Sequence, residues 1–193
     1  MSASSSIGLL KLALIVPVIA YLGLVLFALL FANGLIFPAP APTPDYEVDA
    51  GLTRFRHNDM GEEVTLRYIE NPGSQLLVFY HHGNGEDLGR IEPRLDALVK
   101  AGFSVLAWNY PGYGSSDGRA SEREVLRVAA KIWDSIPETY GFSHHQTVLY
   151  GRSIGSGPAT WLASRSEAAG LIIEGGFTSI FDVALPVKLL PWD

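Results

Sequence analysis

From Glu63 to Glu174 the chain repeats one pattern: a short apolar run, a loop rich in turn formers, then apolar residues at helical spacing. Strands repeat with period 2 and helices with period 3.6, so the pattern separates the two. Glu63 to Ile69 (EVTLRYI) alternates and reads as an edge strand. Leu76 to Tyr80 (LLVFY), Val105 to Trp108 (VLAW), Thr147 to Tyr150 (TVLY) and Leu171 to Glu174 (LIIE) are continuous apolar runs, as expected of strands buried on both faces. Leu88, Ile91, Leu95, Leu98 and Val99 form a helical stripe ended by Gly102, with Pro93 expected in its first turn. Ser121 and Glu124 make a capping-box pattern ahead of Val125, Leu126, Val128, Ala129, Ile132 and Trp133. Ile154 to Ser166 suits a third helix. Strands alternating with helices imply βαβ units. The expected fold is therefore α/β, a mostly parallel sheet with helices on both faces and right-handed crossovers.

Ahead of this region lies an uncharged run, Leu12 to Phe31. About 20 apolar residues cross a bilayer as a helix, and Pro17 and Gly23 are tolerated in such helices. A signal peptide has a shorter apolar region, about 7–15 residues, and Leu30-Phe31-Ala32 is a poor cleavage site. Residues 1–36 are read as an uncleaved single-pass anchor. Lys11 is the only charged side chain on the leading side, and Asp45, Glu47 and Asp49 follow the run. The positive-inside rule then places the domain on the non-cytoplasmic side. Residues 37–46, with Pro38, Pro40, Pro42 and Pro44, are expected to be an extended spacer holding the domain off the membrane. Residues 47–193 form the domain.

Net charge is −6, and Lys11 is the one charge before Asp45, so the domain side carries −7. Nucleic-acid binding is excluded for lack of a basic footprint. There is no cysteine, hence no disulfide framework, Cys-based zinc site or thiol nucleophile. Neither a dinucleotide fingerprint nor a P-loop is present, and no cofactor is expected.

Three loops follow the C-terminal ends of buried strands, the edge where open α/β sheets bind ligands. Gly151-Arg152-Ser153-Ile154-Gly155 is G-x-S-x-G, with an apolar strand before it and a helix after. That context is the one a nucleophile elbow requires: a sharp turn lifts the serine hydroxyl above the sheet, and the helix start directs N–H groups at a developing oxyanion. His81-His82-Gly83-Asn84-Gly85 follows the first buried strand. It occupies the place of the loop that supplies one oxyanion donor, the residue after the nucleophile supplying the other. Asn84 and Ile154 are the candidate backbone donors. His81 and His82 are adjacent on a strand and point to opposite faces, so no metal site is expected. The third loop, Asn109 to Gly118 (NYPGYGSSDG), is rich in turn formers and aromatics and is expected to shape the site.

HHGNG, NYPGYGSSDG and GRSIGSG, in this order and spacing, resemble the α/β-hydrolase superfamily. Within it they resemble the membrane-anchored, serine-aminopeptidase-like branch that includes depalmitoylase-type hydrolases, over about residues 60–185. Glu174-Gly175-Gly176-Phe177-Thr178-Ser179 is similar to the segment after the next strand in that branch. The resemblance implies Ser153 as acyl nucleophile, the backbone N–H groups of Asn84 and Ile154 as oxyanion hole, and a small-molecule acyl or peptide substrate.

The family's order is serine, acid, histidine, and no histidine follows Ser153: the five are His57, His81, His82, His144 and His145. Glu174, Asp182 and Asp193 are the candidate acids, and Glu174 alone ends a strand near the site. The chain also ends on an apolar segment, Leu185 to Asp193. The expectation is the N-terminal part of a membrane-anchored serine hydrolase cleaving an ester, thioester or peptide bond, with the C-terminal strands missing. The alternative is a non-catalytic hydrolase-like domain acting by ligand or partner binding.

Overall fold

The apolar runs that lack alternation become the centre of a sheet. The computed structural model describes residues 3–46 and 51–178. The elements, in chain order, are α1 (Ala3–Ile36), β1 (Leu52–Arg56), β2 (Glu63–Ile69), β3 (Leu77–His81), α2 (Leu88–Lys100), β4 (Ser104–Trp108), α3 (Glu122–Tyr140), β5 (Thr147–Arg152), α4 (Ser156–Ala163) and β6 (Gly170–Glu174). Short 3₁₀ turns, His144–Gln146 and Ser153–Gly155, enter and leave β5. The strand order is β1-β2-β4-β3-β5-β6. β1/β2 and β2/β4 are antiparallel, and the other pairs are parallel.

The chain leaves β3 through α2 to reach β4 on one side, then returns through α3 to β5 on the other. This reversal sets a topological switch point at the C-terminal end of β3, where such sheets bind ligands. Every residue of β3 and β4 is buried. Alternate residues feed two cores. Leu77, Phe79, Leu106, Trp108 and Leu149 meet Val128, Ile132 and Ile136 of α3 and Leu162 of α4. Val78, Tyr80, Val105 and Ala107 meet Leu88, Ile91 and Leu95 of α2. Each large side chain so buried contributes about 1.5–3 kcal/mol, which is what keeps the helices on both faces.

The helix ends show why these residues are helical. The Asp87 carboxylate accepts from Arg90 N (3.0 Å) and caps α2, while the Ser121 hydroxyl accepts from Glu124 N (3.2 Å) at the start of α3. Gly141 stops α3 at φ +75°. Because Asp87 sets the start of α2, Pro93 falls in the second turn, not the first. Pro137 lies in the last turn of α3. Lacking an N–H, it frees the Trp133 carbonyl, which accepts instead from His144 Nε2–H (3.0 Å) while the imidazole stacks on the Trp133 ring at 4.3 Å.

Three further expectations are corrected. β6 is not buried on both faces: it is the outermost strand among the described residues, and Leu171, Ile172 and Ile173 are exposed. β2 is not the edge strand, because β1 pairs along it from Leu52↔Arg67 to Arg56↔Glu63. The helix expected from Ile154 starts at Ser156, because the 3₁₀ turn Ser153–Gly155 intervenes.

The apolar N-terminal run is helical, as α1, with Leu14, Ile15, Val18, Ile19 and Leu22 among its exposed side chains. Among the described residues no helix is long and apolar enough to cross a membrane. The Pro-rich segment lies against the fold. Phe37 is buried and meets Tyr110 edge-on at 6.4 Å, and the Ala41 carbonyl accepts from Arg90 Nη1 (3.2 Å).

Candidate active site

Ser153 directly follows β5, opens the 3₁₀ turn and adopts φ +49°, a conformation that few non-glycine residues adopt unless the surroundings enforce it. The flanking glycines do the enforcing. A Cβ on Gly151 would lie 2.5 Å from Gly155 O and 2.7 Å from Ser156 Cα. One on Gly155 would press into the His81 carbonyl, 2.6 Å from its carbon and 2.7 Å from His82 O. The elbow therefore packs backbone to backbone against the loop that carries Asn84, and only glycine permits that approach. Ser153 is half-buried, Ile154 buried and Asn84 exposed. The Ser156 hydroxyl donates to Ser153 O (2.6 Å), which braces the turn from the helix side.

The 109–118 loop shapes the site as expected. The Tyr110 hydroxyl donates to His82 O (2.6 Å), and the Tyr113 hydroxyl reaches Asn84 Oδ1 at 3.5 Å. Asn109 Oδ1 accepts from Leu88 N (2.9 Å), tying this loop to the start of α2. Gly114, at φ +53°, passes so close to the Asn109 carboxamide that a Cβ would collide with Nδ2. Beside Ile154 lies a pocket of ≈ 230 Å³, walled by Phe37, Val125, Leu126, Pro158, Trp161 and Phe177.

An ionic network the motif reading did not reveal lies behind the elbow. Arg152 bridges Glu86 (Nη1–Oε1 2.7 Å) and Glu174 (Nε–Oε1 3.1 Å). Glu86 also accepts from Gly83 N (2.7 Å), and Tyr150 donates to Glu174 Oε2 (2.9 Å). Partial burial pushes the Glu174 carboxyl up, but the Tyr150 hydrogen bond and the Arg152 guanidinium outweigh it and hold the group below the usual carboxylate range. Glu174 is thus committed to the arginine on the α2 face of the sheet. Arg152 stands inside the elbow motif, but its pairing with Glu174 depends on β5 and β6 being neighbours. Asp182 and Asp193 lie outside the described residues.

The histidines have other partners. His81 is buried, its Nδ1 accepts from Trp108 Nε1 (3.1 Å), and burial pulls its imidazole down to about 3. His82 is buried against Tyr110 (3.9 Å between rings), donates from Nδ1 to Gly83 O (2.9 Å), and is pulled down by burial to about 4. His57 contacts Arg127 through Nδ1 (2.9 Å). His144 and His145 precede β5, whose six residues, at about 3.3 Å each, separate them from Ser153. His145 pairs with Glu167 (3.4 Å). Among the described residues no group of His, Cys, Asp and Glu could hold a metal ion.

A mostly parallel sheet with this reversal, and a strained serine between strand and helix at its C-terminal edge, define the α/β-hydrolase fold. The chain belongs to the serine aminopeptidase S33 family, whose model matches residues 73–191, more than half of its length. Among curated proteins it is 30% identical over 142 residues to α/β hydrolase domain-containing protein 17B of Xenopus tropicalis, covering 72% of this chain and 49% of that protein. It is 34% identical over 117 residues to protein 17C of the same species, covering 60% and 38%. The chain spans half the length of these relatives or less. Among solved structures, an esterase from Pyrococcus furiosus superposes with a TM-score of 0.59 at 18% identity, over 74% of this chain and 56% of that one. An esterase from Exiguobacterium antarcticum gives 0.52 at 24% identity, over 67% and 47%. At these identities the superpositions speak for the fold.

Proposed function

We propose that the protein is a membrane-anchored serine hydrolase that cleaves an ester, thioester or peptide bond of a small acyl or peptide substrate through an acyl-enzyme on Ser153. The observation that carries this reading is the φ of +49° at Ser153 between two glycines that leave no room for a Cβ. Backbone strain of this kind, about 1–3 kcal/mol, persists where function requires it. In the proposed reaction Ser153 Oγ attacks the acyl carbon and its proton passes to a base. The carbonyl oxygen becomes an oxyanion received by the N–H groups of Asn84 and Ile154. The alcohol, thiol or amine leaves with a proton, and water then releases the acyl group from Ser153. The base is unassigned: His81 and His82 are held neutral and buried, and His144 and His145 lie at the far end of β5. In this reading the uncharged run Leu12 to Phe31 is the anchor, and Lys11 just before that run favours a domain on the non-cytoplasmic side.

A fluorophosphonate probe tests the assignment on the protein in native membranes. Ser153→Ala should abolish labelling; a variant that labels as fully as wild type would sink it. The position of the histidines favours a second reading, a domain that binds a ligand or partner without turnover. On that reading the protein does not label.

A further inference from the structure

The Pro-rich segment makes contacts that a free spacer would not. Four prolines fix φ along the segment, which lowers the entropy lost on docking, and Ala39 and Asp45 turn it at φ +39° and +58°. Between them Thr43 bonds one carboxylate twice: its N–H donates to Asp87 Oδ2 and its hydroxyl to Asp87 Oδ1, both at 2.6 Å. Asp87 is 2% exposed and also caps α2 through Arg90 N. Gly89, the second residue of that helix, is the surface Thr43 rests on; a Cβ there would lie 2.5 Å from Thr43 Cβ and 2.8 Å from its hydroxyl. Upstream, Phe37 packs on Tyr110, whose hydroxyl holds His82 O. Tyr113 bonds the backbone of Ala39 and faces Asn84. The segment therefore touches the 82–87 loop at Asp87 and reaches its His82 end through Tyr110, on the loop that braces it.

We propose that residues 37–46 are a positioning strap: the Thr43–Asp87 contact holds the 82–87 loop in the shape that presents the Asn84 N–H, coupling the end of α1 to the site. Thr43 and Asp87 are positioning residues. The catalytic consequence rests on Asn84 being an oxyanion donor; the coupling of strap to loop does not.

Three variants of the full chain test it, read by amide hydrogen exchange. Thr43→Val removes the hydroxyl at equal size, Thr43→Ser restores it, and Gly89→Ala pushes the strap away without touching Asp87. Thr43→Val and Gly89→Ala should raise exchange about tenfold or more, the equilibrium value of one hydrogen bond to a charged group, in both 39–46 and 82–87. Exchange in α3 and β5 should be unchanged, and Thr43→Ser should behave as wild type. Faster exchange confined to 39–46, or a Thr43→Ser variant as loose as Thr43→Val, overturns the proposal. Fluorophosphonate labelling of Ser153 in the same variants separates the two claims. Slower labelling in Thr43→Val, restored in Thr43→Ser, supports the strap acting on the site. Equal labelling despite a loosened loop overturns it. Absence of labelling in every variant removes the hydrolase reading and leaves the exchange result to decide the coupling.

Discussion

Gly155 stands against His81 so closely that a Cβ would lie 2.6 Å from the histidine's carbonyl carbon. The contact joins the turn after β5 to the turn after β3, the two places from which the proposed oxyanion donors come. Gly155→Ala must therefore move one backbone off the other. Forced overpacking costs about 1–3 kcal/mol, and here the displaced atoms are main chain. The expected outcome is a lower denaturation midpoint together with loss of probe labelling at Ser153. Gly157→Ala is the control. A Cβ there meets nothing within 4 Å, so the helix-interior gain of about 0.5–1 kcal/mol for alanine should leave it unchanged or more stable. Equal stability of the two variants would contradict the backbone contact.

Ser153→Gly separates strain from chemistry. Glycine adopts a positive φ without penalty, so the variant should be more stable than Ser153→Ala, by about 1 kcal/mol or more, while both lose labelling. Urea unfolding measures the difference. A glycine variant less stable than the alanine variant would show that the turn is not strained at this residue.

Arg152 joins a carboxylate of the loop after β3 to one at the end of β6, and the Arg152→Met variant leaves Glu86 to Arg94 and the Gly83 N–H. A partly buried, charge-assisted pair is worth about 1.5–3 kcal/mol when one partner is removed. The loss should shrink in a Glu86→Gln background, because the two residues share the interaction. A double-mutant cycle by chemical denaturation reads the coupling; strict additivity would show that the bridge contributes nothing.

Where sequence and structure agree, the physical cause is local. The elbow is legible because its glycines answer to the turn's own backbone, and β3 and β4 because burial on both faces removes polar residues from the run. β1 is not legible: in LTRFR only Leu52 and Phe55 are half-buried, and its stability comes from β2. The start of α2 departs from expectation because its cap, Asp87, has Arg90 three residues on rather than a glutamate, so no capping box announces it. The Thr43–Asp87 contact, 44 residues apart, has no sequence signature, since alternating prolines fit a free spacer and a docked strap equally well. Arg152 and Glu174 pair in register across parallel strands, a relation that appears only once β5 and β6 are known to be neighbours.

The absence of cysteine makes the topology directly measurable. Met60, 82% exposed in the turn between β1 and β2, can be replaced by cysteine in a background with no other thiol. In intact cells Met60→Cys should react with a membrane-impermeant maleimide if the domain lies outside the cytoplasm. Protection until the cells are lysed would reverse the orientation, and recovery of the chain in the supernatant after high-speed centrifugation would remove the anchor.

The buried imidazoles set the acid limit of the fold. His82 is held down to about 4 and His81 to about 3, whereas in an unfolded chain both titrate near 6.5. As the pH falls below about 6.5 the unfolded chain takes up protons that the folded chain refuses, so stability declines from there until the folded values are reached. Asp87 and Glu174, whose carboxyls are also held low, add to the loss only below about 4, the range of free carboxylates. Urea midpoints should therefore be flat from pH 8 to about 7, then fall between about 6 and 4, each imidazole contributing up to about 1.4 kcal/mol per pH unit. His82→Gln should lower stability at pH 7 through the lost ring contact with Tyr110, and flatten the acid limb by close to one proton. An acid limb of unchanged slope in that variant would show that His82 titrates normally in the folded protein, which its burial between Tyr110 and Tyr113 argues against.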